Sequence, residues 1–311
     1  MAPARSPWDI EQRLLAEEWT RITNGLVTVT FFNMNSLGGE KSVIQKFRSV
    51  RAGAKAPLDG AIFTTIGLNE LAPDARLFTL SIPFLITSQK DLDAALSEVG
   101  PSLISKYKAA GFEMIAWSNV GWLSFFTKKE FATLRDLKRI KIASAGIDSP
   151  VLGNSFRAAG FTIEDILSAK LLQSMKSSSG VNGFFSVHLY AYVTGLSKTI
   201  NYTLDAKLCP VMAGFVISNE SWARIPERYR PAMLAAANRM RAQLDQSLES
   251  SDRKYLDLMK AEGVTLVTLS PGELEKWKAE FERDLESINR SVPGAFDMEM
   301  YTKIRKLLKG R

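Results

Sequence analysis

The chain reads as an α/β protein in which strands alternate with helices and the sheets are largely parallel. Two observations carry this reading. Short β-branched and aromatic runs (26–32, 61–66, 113–118, 211–218, 264–269) recur between segments with helical apolar spacing. The stretch GWLSFFTKKEFATLRDLKRIKIASAGIDSP, residues 121–150, then holds a strand, a capped helix, a strand and a new helix start in one piece.

Each element has a local reason. Ser6-Pro7-Trp8-Asp9 is a capping box with proline in the first turn, and Leu14, Leu15, Trp19 and Ile22 share one face of the helix behind it. Asn24-Gly25 ends that helix before the strand at 26–32. A loop at 33–39 leads to a helix at 40–51, then a strand at 61–66. A helix over 89–110 is expected to split at Gly100-Pro101. In the 121–150 stretch, Thr133 caps a helix with Asp136 at the capping-box spacing, and 139–144 alternates cationic and apolar residues. Ser149-Pro150 opens the next helix. Strands at 183–188, 198–204 and 211–218 follow, then an uninterrupted helical run at 226–261. Ser270-Pro271-Gly272-Glu273 caps a helix to about 289, and a basic helix covers 297–308.

Composition narrows the function classes. Of 311 residues, 46% are apolar and 23% charged, ordinary for a globular chain long enough for two domains. No apolar run approaches the length of about 18 residues that marks a membrane-spanning helix. The net charge of +7 is concentrated in the tail, at Lys303, Arg305, Lys306, Lys309 and Arg311. Without interleaved aromatics this describes a solvated helix end, and no nucleic-acid partner is expected. One cysteine, Cys209, and one histidine, His188, leave no disulfide and no Cys/His metal site, so no cofactor is expected. The N-terminus MAPARSPWDIEQ lacks an apolar signal core. A cytosolic protein starts this way, and so does a chain beginning after a removed signal.

Catalytic motifs are missing. Gly38-Gly39-Glu40-Lys41-Ser42 lacks the Walker spacing, and neither GxGxxG nor GxSxG occurs. His188 lies in the apolar run Phe-Ser-Val-His-Leu-Tyr, which suits a structural residue better than a base. The chain is not expected to be an enzyme.

Several ordered motifs together resemble the substrate-binding proteins of tripartite ATP-independent periplasmic (TRAP) transporters. Leu37-Gly38-Gly39-Glu40 resembles that family's loop and second helix start, and Ile82-Pro83-Phe84-Leu85 its I/L-P-F-L segment. Residues Leu134-Arg135-Asp136-Leu137-Lys138-Arg139-Ile140-Lys141-Ile142 are similar to E-D-L-K-G-L-K-I. Val181-Asn182-Gly183 falls at V-D-G, and Phe215-Val216-Ile217-Ser218-Asn219 with Trp222 at L-L-M-N-x-x-x-W. The resemblance runs from about residue 8 to 290. It implies a two-lobed periplasmic-binding-protein fold with crossing hinge strands and a long inter-lobe helix, for which 226–261 is suited. Lobe I would comprise 1–122 and 212–250, lobe II 123–211 and 251–292, with 293–311 a C-terminal basic helix. Ligand would sit between the lobes and pass to TRAP membrane subunits in the periplasm.

The departures from the family pattern shape the expected ligand. The arginine that follows K-I becomes Ala143, and the arginine of N-G-F-R becomes Leu123, beside Trp122. The family's Q-E-N becomes Phe184-Phe185-Ser186. A carboxylate enclosed without a cation would suffer desolvation of several kcal/mol. An apolar ligand burying eight methylenes gains about 6 kcal/mol, at roughly 0.8 kcal/mol each. A hydrophobic or amphipathic ligand is therefore expected, as in the branch that lacks the arginine and works with a helical-repeat (TPR) accessory protein. A removed lipoprotein signal could anchor it. Candidate contacts are Phe63, Thr64, Thr65 and Met212, with Trp122, Leu123, Ala143, Phe184, Phe185 and Ser186. Strand neighbours point to opposite faces, so at most one of Phe184 and Phe185 should reach the ligand, and Trp122 and Leu123 should divide in the same way. Rival readings are an organic-acid binder using Lys141, two residues before Ala143 on the same strand face, a lipid-handling enzyme, and a protein-only interaction module.

Overall fold

Local chemistry starts several helices where the sequence puts them. A computed structural model describes residues 6–33, 35–49, 56–145, 149–178 and 180–310. Ser6 accepts the Asp9 amide at the head of Pro7–Ile22, and Ser270 accepts that of Glu273 at the head of Pro271–Ser291. Thr133 and Asp136 close a reciprocal capping box on Leu134–Arg139, each satisfying the other's backbone N–H. Asp297 accepts the Met300 amide to open Met298–Lys309.

The described residues contain nine strands: β1 (Gly60–Thr64), β2 (Phe112–Trp122), β3 (Ser124–Thr127), β4 (Ile142–Ala143), β5 (Ile163–Glu164), β6 (Gly183–Ser186), β7 (Tyr202–Leu204), β8 (Pro210–Ser218) and β9 (Thr265–Val267). They form a three-stranded sheet, β1-β8-β2, and a six-stranded sheet, β5-β4-β6-β3-β7-β9. The six-stranded sheet is mixed rather than largely parallel, and β1 and β8 of the other sheet are antiparallel. β4 runs parallel to β5 and β6, and β7 to β9, whereas β3 is antiparallel to β6 and β7, and β1 to β8. The chain returns between β3 and β6 through intervening helices, so sequence alternation alone did not fix strand direction.

Two compact units result. The first contains 1–77, 99–119 and 212–248; the second contains 78–98, 120–211 and 249–311. This grouping differs from the expected lobe limits in placing 78–98 and the C-terminal helix with the second unit. β2, β8 and the long helix Arg230–Ala261 each carry residues of both. The first unit's core joins Leu15 and Trp19 to Ile115, Ile217, Trp222, Met233 and Met240, and the Trp19 indole donates to the Met233 carbonyl at 3.0 Å. The second unit's core packs Phe126, Ala143 and Phe184 against Leu171, Met175, Val181 and Met259.

Several local expectations give way to tertiary context. Residues 27–33 form no strand, and Leu26, Val29 and Phe32 are exposed. The Val27 amide is taken instead by the Thr23 hydroxyl at 3.0 Å, and β-propensity without a paired edge does not make a strand. Gln89–Ala109 is one helix through Pro101, because its buried stripe continues across Gly100-Pro101, from Leu92, Ala95 and Leu96 to Leu103 and Tyr107. The helix Gly39–Arg48 stops short of residue 51; the rest of that expectation falls outside the described residues. The strand expected at 61–66 ends at Thr64, where a helix, Thr65–Leu71, begins. His188 likewise opens a helix, His188–Val193, rather than ending a strand.

Two backbone positions are held by their surroundings. Gly121, at φ +149°, lies 2.7 Å from the Val187 side chain at the point where a Cβ would stand, so a side chain there meets both strain and collision. Phe84, in the Ile-Pro-Phe-Leu segment, sits in the left-handed region at φ 61°. Its N–H donates to the Leu208 carbonyl at 2.6 Å, and its ring meets Phe281 edge-on.

Candidate ligand-binding site

The candidates in the first unit converge on the end of β1. Phe63 and Thr64 pair in register with Gly214 and Ala213 of β8. Phe63 is fully buried and packs edge-on to Phe47, while Thr64 is exposed. Thr65 turns the chain into the next helix, and its buried hydroxyl bridges to β8. It donates to the Met212 carbonyl at 3.1 Å and accepts the Met212 amide at 2.9 Å. The Met212 side chain is fully buried. One residue of this cluster stood in the Leu37-Gly38-Gly39-Glu40 motif but was not among the expected contacts. Glu40, on the helix Gly39–Arg48, accepts hydrogen bonds from the Thr64 amide (2.7 Å), the Thr64 hydroxyl (3.0 Å) and the Gly67 amide (2.9 Å). Burial pushes the Glu40 carboxyl above its ordinary range, against the downward pull of those hydrogen bonds.

Of the candidates in the second unit, Ala143, Phe184, Phe185 and Ser186 lie on the six-stranded sheet, while Trp122 ends β2 and Leu123 follows it. Ala143 pairs in register with Phe184, and both are fully buried beside Phe126. The Phe184 and Phe126 rings stack at 5.0 Å and 6°. Phe185 belongs to a different aromatic group, with Phe125 at 4.9 Å and Phe156 at 4.4 Å, as alternation along a strand requires. Each ring of the pair is thus enclosed by other aromatics of its own unit. Trp122 is buried at 2% exposure, whereas Leu123 and Ser186 are half-buried. Leu123 donates its amide to the Cys209 carbonyl at 2.9 Å. The Lys207 ammonium lies 5.2 Å from the centre of the Trp122 ring. That cation is brought to Trp122 by the fold, across 85 positions of the chain. Lys141, the cation considered from sequence, is exposed.

His188 is buried at 2% exposure, with Nδ1 2.8 Å from Asp252 Oδ1 and the ring edge-on to Phe126. Its Nε2 and the buried Ser197 hydroxyl both lack partners, so the two are not hydrogen-bonded to each other and no Ser-His-Asp relay is assembled. No group of three His, Cys, Asp or Glu suited to a metal ion occurs among the described residues. No helix there is long and apolar enough to cross a membrane.

This is the fold of solved periplasmic solute-binding proteins of TRAP transporters. One from Ralstonia eutropha H16, with bound (S)-2-acetolactate, superposes with a TM-score of 0.82 at 22% identity, covering 99% of this chain and 96% of the other. One from Desulfovibrio salexigens, with orotic acid, gives 0.82 at 16% identity over 99% and 96%. The sugar acid binding protein of Advenella mimigardefordensis, with galactonate, gives 0.82 at 17% identity over 98% and 94%. The chain itself belongs to family 7 of the bacterial extracellular solute-binding proteins, the DctP family, which matches residues 1–291. That is a family of binding proteins, not of enzymes.

Proposed function

We propose that the protein captures a small organic molecule in the periplasm and delivers it to the membrane subunits of a TRAP transporter, and that the enclosed part of the ligand is apolar or amphipathic. The observation that carries the ligand class is Ala143. It stands where the family resemblance expects a carboxylate-pairing arginine, and it is fully buried between aromatic neighbours. Leu123, at the other expected arginine, is also apolar. A ligand meeting such surfaces gains by losing apolar area to water, while an acid would be desolvated with little return. Thr64, Leu123 and Ser186, the candidates with surface outside their own units' cores, are proposed as direct contacts. Phe63, Thr65, Trp122, Ala143, Phe184, Phe185 and Met212 are proposed to form the walls behind them. The lost arginines also support the branch served by a TPR accessory protein, and a lipoprotein anchor belongs to the same reading.

A second reading is an organic acid. The similar solved proteins hold acetolactate, orotate and galactonate. Lys207, over the Trp122 ring, supplies a cation beside one candidate residue.

Native mass spectrometry of the purified protein, before and after organic extraction, tests both, followed by melting curves with neutral aliphatic and aromatic compounds and with uronates and keto acids. A copurifying neutral or long-chain species is expected. Stabilisation by small acids alone would overturn the apolar reading in favour of Lys207.

A further inference from the structure

The helix Thr65–Leu71 begins at Thr64, yet the Thr64 side chain makes no capping bond to its own helix. The cap comes from a residue 24 positions earlier in the chain. Both Glu40 oxygens are committed, Oε1 to the Thr64 amide and Oε2 to the Thr64 hydroxyl and the Gly67 amide. The fit is close. A Cβ on Gly67 would stand 2.5 Å from Glu40 Oε2 and 2.7 Å from Phe63 Cδ1, both inside contact distance. The next residue, Thr65, clamps the Met212 backbone by two hydrogen bonds. One carboxylate therefore fixes the turn that carries Phe63, Thr64 and Thr65 and, through Thr65, the start of β8 in this unit.

We propose that Glu40 is a positioning residue. As a carboxylate built into the chain, it holds the 63–67 turn and with it the surface that Thr64 presents. This rests on the reading of Thr64 and its neighbours as binding wall and deepens it. The Thr64 and Gly67 amides are already taken by Glu40, so what Thr64 presents to a ligand is its outer surface. A charge-assisted cap is also the stronger kind of cap, which suits a turn that must keep its shape with or without ligand.

The test is chemical rescue in the full chain, with acetate and formate as probes and chloride as the ionic-strength control. Glu40→Ala should melt about 3–6 °C lower, the scale of losing a charged cap in a chain of this size. Its Thr64 and Gly67 amides should exchange with deuterium at least about tenfold faster, as loss of about 1.4 kcal/mol of protection predicts. Acetate or formate should restore both in the variant and change neither in the wild type. Glu40→Gln, which keeps acceptor oxygen but not charge, should fall between. Should Glu40→Ala fold too poorly to measure, Gly67→Ala displaces the carboxylate from the other side, and the same amides should lose protection. Wild-type melting and exchange in Glu40→Ala, or recovery as good with chloride as with acetate, would overturn the proposal. Neither result depends on ligand identity. Failed rescue leaves the apolar-ligand reading standing, and discovery of an acid ligand leaves the rescue result standing.

Discussion

Truncating Phe184 to alanine separates a core residue from a ligand-facing one. The ring is fully buried, stacked on Phe126 at 5.0 Å and 6°, and its strand pairs with β4 at Ala143 and with β3 at Phe126. Removing a fully enclosed phenyl ring costs the lost transfer energy and leaves a cavity, together about 3–5 kcal/mol. Whole domains are stable by only about 5–15 kcal/mol, so a large part of the second unit's stability is at stake. The stacked pair should contribute about 0.5–1.5 kcal/mol of that loss as coupling between the two rings. Urea titration of Phe184→Ala, Phe126→Ala and the double variant, followed by circular dichroism, yields both quantities. A loss below about 1 kcal/mol for Phe184→Ala, the scale of a surface change, would refute the enclosed placement and give Phe184 an open, ligand-accessible face.

Ala143→Arg should be severely destabilising. It combines overpacking of about 1–3 kcal/mol with several kcal/mol for an unpaired buried guanidinium, and melting curves should show a marked drop or no folded state. A variant that melts like the wild type and newly binds galacturonate would instead put position 143 on the ligand. The Thr133–Asp136 capping box predicts a pH dependence. Hydrogen bonds from the Thr133 side chain and backbone hold the Asp136 carboxyl below its ordinary value. A depressed folded-state value means that this contribution is complete above the ordinary carboxylate value and disappears as pH falls through the lower folded one. The melting difference between wild type and Asp136→Asn should therefore shrink on acidification from about pH 5 to about pH 2. A difference that stays constant would place the carboxylate outside the cap.

The features that sequence alone determined are those whose physics is local. Ser6, Thr133 and Ser270 cap helices because donor and acceptor lie three residues apart, a spacing visible in the chain. The alternating faces of Phe184 and Phe185 follow from strand geometry once a strand is recognised. The ordered motifs pointed to the family for a similar reason, since they mark turns and caps that the fold reuses.

Tertiary structure decided the features whose partner is far away in the chain. Residues 26–32 have strand composition, yet form none, because a strand exists only against a partner edge. Strand β1 ends at Thr64, two residues before the expected strand end, and the helix Thr65–Leu71 that follows is capped from outside by Glu40. His188 finds Asp252 across 64 residues, and Lys207 reaches Trp122, through packing that periodicity does not encode. Composition told which side chains this protein has for binding a ligand. Which of them are sealed into a core, and which keep a surface, is a property of long-range contacts, because burial depends on what the rest of the chain brings alongside.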